Sequence, residues 1–331
     1  MTPIDRRRFL AAAGGAMAAP ALLTAAPTKT SPPETAAKAL YESLSAEQKK
    51  VVCFAWDHVD PARGLLRTHV SNNWQITKPT VTDGFFTKPQ QGIIRDIFKG
   101  LIDPDWLAKF DKQMKDDSGG KAWGATQSIA LFGEPGADKF QFVMTGRHQT
   151  IRCDGNAEPH VAFGGPIFYG HAPHDEEGAK HEGNVFWVQA EKANALYRML
   201  DGKQQKSALR PKTPKESAVA FRGAKIADAP GLRVTDLSRD QKDELGKVLT
   251  VLLAPFRTAD RDEALAALTK QGGLDACRLC YFSDADIGDD KVWDNWRLEG
   301  PSFVWHYRGS PHVHVWVNIA DSPNVTLNAK G

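Results

Sequence analysis

The chain has 331 residues, 41% of them hydrophobic and 25% charged, and a formal net charge of +2. That length allows one large or two small domains with a sizeable core, and the composition is that of an ordinary soluble globular protein. The small positive excess lies wholly in residues 1–27, so the rest of the chain has no basic surplus to draw nucleic acid or an anionic membrane, and neither is expected as a partner.

Residues 1–27 read as an address rather than as structure. Asp5-Arg6-Arg7-Arg8-Phe9-Leu10 has the form of a twin-arginine export signal. A mild apolar run, Ala11 to Leu23, follows it, and Ala19-Pro20-Ala21 and Thr24-Ala25-Ala26 offer small-residue cleavage sites. The run is too short and too rich in Ala and Gly to span a membrane. No Cys follows it, so no lipid anchor is expected. The expected partner is the twin-arginine translocase, the expected location periplasmic or secreted, with no stable membrane anchor. That route carries proteins already folded, often with a cofactor inserted.

Residues 28–331 are expected to form a single α+β domain of two half-units. A helix is expected from about Pro33 to Asp57, broken near Ser43, where Ser45-Ala-Glu-Gln48 fits a capping box. Residues 57–88 are punctuated by Pro, Gly and Asn and read as irregular, with Arg63, Arg67, His69 and Trp74 first as solvated loop and second as a site rim. Ile93, Ile94, Ile97, Phe98 and Leu101 have helical spacing. A second helix starts at Asp103-Pro104, carries Trp106, Leu107, Phe110 and Met114, and stops at Ser118-Gly119-Gly120. Strands are expected over Ser128–Phe132 and Lys139–Cys153, around the turn Gly133-Glu-Pro-Gly136.

About 150 residues on, the order returns. Ser238-Arg-Asp-Gln241 caps a helix with Leu245, Val248, Leu249, Leu252 and Leu253. Thr258–Lys270 forms a second helix, stopped by Gln271-Gly272-Gly273. Strands around Leu279–Phe282 and Trp296–Tyr307 follow. Met144-Thr145-Gly146 lines up with Leu298-Glu299-Gly300, which suggests an internal duplication with half-units at about 88–155 and 238–319. Between them lie the loop 163–171, a charge-dense segment 172–183, a helix over Asn184–Leu200 that residues 204–210 extend, and a polar connector, 211–231. The fold class is therefore α+β, with a mixed or antiparallel sheet and helical pairs.

The chemistry rests on histidine. In Trp305–Asn318, residues alternate as on a strand on both sides of Gly309-Ser310-Pro311, which reads as a tight turn. Val313, Val315 and Val317 then face one way, and His312, His314 and Trp316 the other. Two imidazoles about 7 Å apart on one strand face can converge on one metal, or can simply hydrogen-bond on a half-exposed face. His148 shares a face with Phe140, Phe142 and Met144, where a hydrogen-bonded core histidine is the competing reading. Arg147 faces the other way unless Gly146 bulges. His171, in Tyr169-Gly170-His171, sits on a Gly- and Pro-rich loop of the kind that presents a side chain to a pocket. His306 is not expected to join His312 and His314. His174 and His181, beside Asp175, Glu176 and Glu177, read as a solvated loop before a surface metal cluster. Cys277-Arg-Leu-Cys280 has redox spacing but a strand-like context, so buried thiols or a structural disulfide are preferred. No carboxylate stands out as a metal partner. Phosphate loops, a nucleophile elbow, a Rossmann fingerprint and haem-attachment motifs are absent.

Thr145-Gly-Arg-His148, Phe163-Gly-Gly-Pro-Ile-Phe-Tyr-Gly-His171, Leu298-Glu-Gly-Pro301 and Pro311-His-Val-His314 together resemble the domain-of-unknown-function 3500 (DUF3500) family of exported bacterial proteins. The resemblance runs from Leu44-Ser-Ala-Glu-Gln48 to Asn318. Members typically have Gly-His-His where this chain has Gly146-Arg147-His148, and often a Trp-Arg-Asp run where Trp316-Val317-Asn318 stands. The resemblance groups His148, His312 and His314 as motif positions, with His171 in a motif nearby, and implies no activity.

His148, His171, His312 and His314 together suit a divalent transition metal, Zn²⁺, Cu or Fe²⁺. The expected protein is an exported metalloenzyme for a small-molecule substrate, oxidoreductase before hydrolase. In it His148, His312 and His314 bind the metal, His171 is a fourth ligand or acid/base, and Arg147, Tyr169 and the Trp residues shape the pocket. The alternative is a non-catalytic periplasmic protein binding a metal or small ligand, and a third reading has structural histidines and a Trp-lined surface for a sugar or peptide.

Overall fold

The structure is a computed structural model and describes residues 26–171, 184–287, 289 and 291–327. Residues 1–25, most of the expected export address, and the charged segment with His174 and His181 lie outside the described residues.

The chain opens with α1 (Pro32–Ser43) and α2 (Ala46–Val52), split where the sequence suggested. Ser45 and Gln48 make both arms of the expected capping box, and the second helix ends earlier than expected, running straight into the strand β1 (Cys53–Phe54). A small hairpin, β2 (Val59–Asp60) and β3 (Gly64–Leu65), follows. Then come α3 (Lys88–Leu101), α4 (Leu107–Asp117), β4 (Ser128–Gly133), β5 (Phe140–Gly146), β6 (Gln149–Cys153) and β7 (Ile167–His171). The second part has α5 (Trp187–Met199), α6 (Gly202–Ala208), β8 (Leu209–Arg210), β9 (Leu232–Arg233), α7 (Arg239–Leu253) and α8 (Thr258–Lys270). It closes with β10 (Arg278–Phe282), β11 (Asn295–Glu299), β12 (Phe303–Arg308) and β13 (Val313–Ile319).

Eleven strands form one mixed sheet, in the order β1-β4-β5-β6-β7-β13-β12-β11-β10-β8, with β9 paired to β10. The outermost pairs, β1 with β4 and β8 with β10, are parallel, and the rest are antiparallel. The order reads the same from either edge: β7 and β13 meet at the centre, and each half adds three further strands and a two-residue edge strand outward.

The helices repeat as well. Gln48 and Gln90 trade amide hydrogen bonds at 3.0 Å while Gln90 reaches the Ser43 carbonyl. In the second half Gln204 and Gln241 do the same at 2.9 and 2.8 Å, with Gln241 reaching the Met199 carbonyl. All four glutamines are the third residues of capping boxes, opened by Ser45, Thr87, Asp201 and Ser238. One side chain thus closes its own helix start and locks it to the next. The matching order of elements starts at α1 in the first part of the chain and at α5 in the second.

The two faces of the sheet are covered differently. Val313, Val315 and Val317 pack with Met144, Tyr169, Trp305 and Tyr307 into the main core under the helices. The other face carries Thr145, Thr150, Arg152, Arg297, His306, His314 and Asn318, all buried. The largely irregular segments 55–87 and 211–231 cover it, with Val70 and Val219 packing on Phe168, Val304 and Trp316. The first segment is therefore not the solvated loop that came first on sequence grounds. Arg67 is 5% exposed and ion-paired to Glu158 at 2.5 Å. Arg152 beneath it donates to the carbonyls of Pro166 (2.8 Å), His69 (2.6 Å) and Arg67. Irregular backbone can be buried because those side chains satisfy its carbonyls.

Two strands expected as continuous are hairpins. Lys139–Cys153 turns at Arg147-His148 between β5 and β6, and Trp296–Tyr307 turns at residues 300–302 between β11 and β12. These strands are buried on both faces, so the only trace of each turn is a change of phase in the core-facing residues, from Met144 to Ile151 and from Leu298 to Phe303. All four cysteines are free thiols. Among the described residues, no helix is long and apolar enough to cross a membrane.

Candidate metal centre

The site forms where the start of β13 meets the β5–β6 turn. In the central pairing His314 lies opposite Gly170, and Gln149 opposite Tyr169, which brings the turn ahead of Gln149 level with the first residues of β13. His148 occupies that turn with φ +54°, in the left-handed region, and its N–H donates to the Asn72 carbonyl at 2.8 Å. A residue with a Cβ adopts this backbone at a cost of roughly 1–2 kcal/mol. The cost is borne at the residue whose ring reaches the neighbouring strands.

His148 Nε2 lies 3.1 Å from His314 Nε2, and His314 Nε2 lies 2.9 Å from His312 Nε2. One ligand atom from each of the three falls within 4.8 Å of the others, so the triad could hold a metal ion. Ligands at about 2.0–2.1 Å from a tetrahedral zinc stand roughly 3.3 Å apart, close to the spacing seen. His148 and His314 are 4% and 3% exposed, and His312 is half-buried.

Each buried ring is held from behind by a carboxylate. Asp117 Oδ2 is 2.5 Å from His148 Nδ1 and also accepts from Gln113 at 2.7 Å. Glu216 Oε2 is 2.8 Å from His314 Nδ1 and pairs with Arg308 at 3.2 Å. A carboxylate on Nδ1 holds the proton there and turns the Nε2 lone pair toward the other two rings. Burial holds the His314 pKa down to about 3, against the opposing pull of Glu216, so the ring is the neutral imidazole that a metal requires. Burial raises the Glu216 pKa, but the hydrogen bond from His314 and the nearby Arg308 outweigh it and hold the net value low, so it stays a carboxylate. Phe168 lies edge-on to the His314 ring, centroids 5.1 Å apart, and closes the floor.

These carboxylates are the residues that the sequence reading missed. Asp117 had a signal: an acid in the last turn of a helix opposes the helix dipole and needs another reason to be there. Glu216 had none, lying in what read as a polar connector.

The remaining expected site residues are placed elsewhere. His171 is opposite Val313, so it points to the helix side of the sheet, away from His314. Its Nε2 is 3.5 Å from Asp116 Oδ2, and burial lowers its pKa. The last turn of α4 thus sends Asp116 toward His171 and Asp117 toward His148, and His171 is not among the converging ligands. Tyr169 is opposite Val315 and is fully buried under the helices, where its hydroxyl donates to Gln189 at 2.9 Å and burial raises its pKa. It therefore does not shape the pocket. Arg147 is exposed at the tip of the turn, with its backbone bridged to Asn73. His306 faces the same side as His314 but stands apart from the triad, beside Arg297.

The backbone at His148 gives a direct test. In metal-free protein, His148→Gly should be more stable than His148→Ala by about 1 kcal/mol, because only glycine takes positive φ freely. Denaturant unfolding of the two variants measures it, and equal midpoints would show that the turn relaxes.

Across residues 27–319 the chain matches the family model described as protein of unknown function (DUF3500). No curated protein and no solved structure matches it. The three imidazoles and both carboxylates behind them lie inside the matched region, and the chain belongs to the DUF3500 family.

Proposed function

We propose that the protein is an exported metalloprotein in which His148, His312 and His314 bind one divalent transition metal, and that the bound metal serves as a redox centre for a small-molecule substrate. One observation carries the reading: three Nε2 atoms meet, and two of the rings are backed by Asp117 and Glu216. Asp117 and Glu216 on the two Nδ1 atoms leave the Nε2 lone pairs of His148 and His314 facing each other at 3.1 Å, an arrangement that a cation would stabilise. Three imidazoles leave further coordination positions for a substrate or water, as catalytic sites do and closed structural sites do not. An all-imidazole donor set suits Cu and Fe as well as Zn. Export by the twin-arginine route, read from Arg6-Arg7, favours a metal loaded during cytoplasmic folding and tilts the reading toward redox chemistry over hydrolysis.

The test uses the full chain produced in an export-competent bacterium. Protein should be found in the periplasm, and Arg6→Lys/Arg7→Lys should hold it in the cytoplasm. The purified protein should carry Cu or Fe that cycles between two oxidation states with ascorbate and peroxide. A stoichiometric zinc protein would turn the reading to hydrolysis, where the metal's part is to acidify bound water. Unchanged periplasmic yield in the double variant would refute the export route.

A further inference from the structure

The loop-covered face of the sheet carries a second feature, apart from the imidazoles. A cleft of about 420 Å³ opens between segment 211–231 and strands β10 and β11. It shares Lys215, Arg222 and Glu299 with a neighbouring cleft of about 550 Å³. Arg297 on β11 lines the first cleft and is 4% exposed. Its Nε donates to His306 Nδ1 at 3.2 Å and its Nη1 to the Ala218 carbonyl at 3.0 Å. Its Nη2 is buried and has no acceptor among the described residues.

His306 beside it is fully buried. Burial, then the charges of Arg297 and Arg308, hold its pKa well below the usual value, so the ring is neutral. Since Nδ1 accepts from Arg297, the proton is on Nε2, which also lacks an acceptor among the described residues. Buried donors without acceptors are costly, and Arg297 Nη2, on a residue that lines the cleft, marks a place where an acceptor is wanted.

The charge balance agrees. Arg210, Lys212, Lys215, Arg222 and Arg297 line the cleft against one carboxylate, Glu299. Glu299 is already held by Arg222 at 2.8 Å and lies 3.8 Å from Arg297. Pro214, Pro230 and Phe282 add apolar surface to the same cleft.

We propose that this cleft binds a small organic anion. Its phosphate, sulfate or carboxylate head sits on Arg297 and Arg222, and its apolar body lies against Pro214, Pro230 and Phe282. Guanidinium groups match such oxyanions with paired hydrogen bonds, and the apolar surface distinguishes an organic anion from a bare inorganic one.

Calorimetric titration of the full-length protein with phenyl phosphate, benzoate and inorganic phosphate tests it. At least one aromatic anion should bind about tenfold or more tighter than inorganic phosphate, and Arg222→Gln should weaken it about tenfold. Arg297→Gln should do the same. Because Arg297 is buried and its variant is at risk of misfolding, half-exposed Arg222 decides. The proposal is overturned if neither aromatic anion binds, if inorganic phosphate binds equally well, or if Arg222→Gln has no effect.

Discussion

Asp117→Ala should weaken metal affinity by about 10–100-fold while all three imidazoles stay in place. Asp117 Oδ2 meets the site at His148 Nδ1, 2.5 Å away. Its loss frees the proton to move to Nε2, where it blocks the lone pair, and lets the ring rotate. The strained backbone at His148 makes this sharper, since the turn alone does not choose a ring orientation. Asp116→Ala is the matched control, because Asp116 sits one residue away and faces His171. Competition titration against a chelator reads both. Equal affinity for Asp117→Ala and the parent would mean that Asp117 serves only Gln113 and the end of α4.

Arg257→Leu should destabilise the fold by about 3–5 kcal/mol, the range for removing one partner of a buried ion pair. Arg257 Nη1 and Nη2 bond Glu34 at 2.9 and 2.6 Å, and its Nε lies 2.9 Å from Asp260. Glu34 is wholly buried and Asp260 is 4% exposed, so the leucine leaves two carboxylates with no counter-charge. Glu34 belongs to α1 and Arg257 leads into α8, and the Arg257 N–H also bonds the Leu101 carbonyl at 3.0 Å. This cluster therefore clamps the helices of one half-unit to those of the other. Burial already holds the Asp260 carboxyl up to about 7 despite Arg257 beside it, which shows how narrowly the charge is balanced. Urea unfolding measures the loss, and a change no larger than that of the exposed Arg233–Asp236 pair would show that the cluster relaxes or hydrates.

The helices of this fold are legible because their signals are local. Ser45 and Ser238 each precede a glutamine by three residues, and each makes the expected box, while Thr87 and Gln90 make one that the sequence reading did not single out. The faces of the last strand follow from its alternation: Val313, Val315 and Val317 lie in the main core, with His314 opposite. The hairpins were less legible. Phe140, Phe142 and Met144 reach the main core from even positions and Ile151 and Cys153 from odd ones, so the reversal is marked in the sequence only by that change of phase and by Gly146. That concealed turn decides the site, because a His148 on a straight strand would be a core residue and a His148 at a turn reaches His314. Pairing across the centre of the sheet is a long-range fact with no sequence spacing behind it. It removed Tyr169 and His171 from the metal side by placing them opposite Val315 and Val313. Glu216 was hidden for the same reason: its partner is 98 residues away.

The central claim is that His148, His312 and His314 bind one metal together. Elemental analysis of the full-length protein produced in bacteria, beside His148→Ala/His314→Ala, tests it most directly. The expected result is about one Cu, Fe or Zn per chain in the parent and none in the folded double variant. Folded parent protein that carries no metal and takes none up from Cu²⁺, Fe²⁺ or Zn²⁺ would contradict the account.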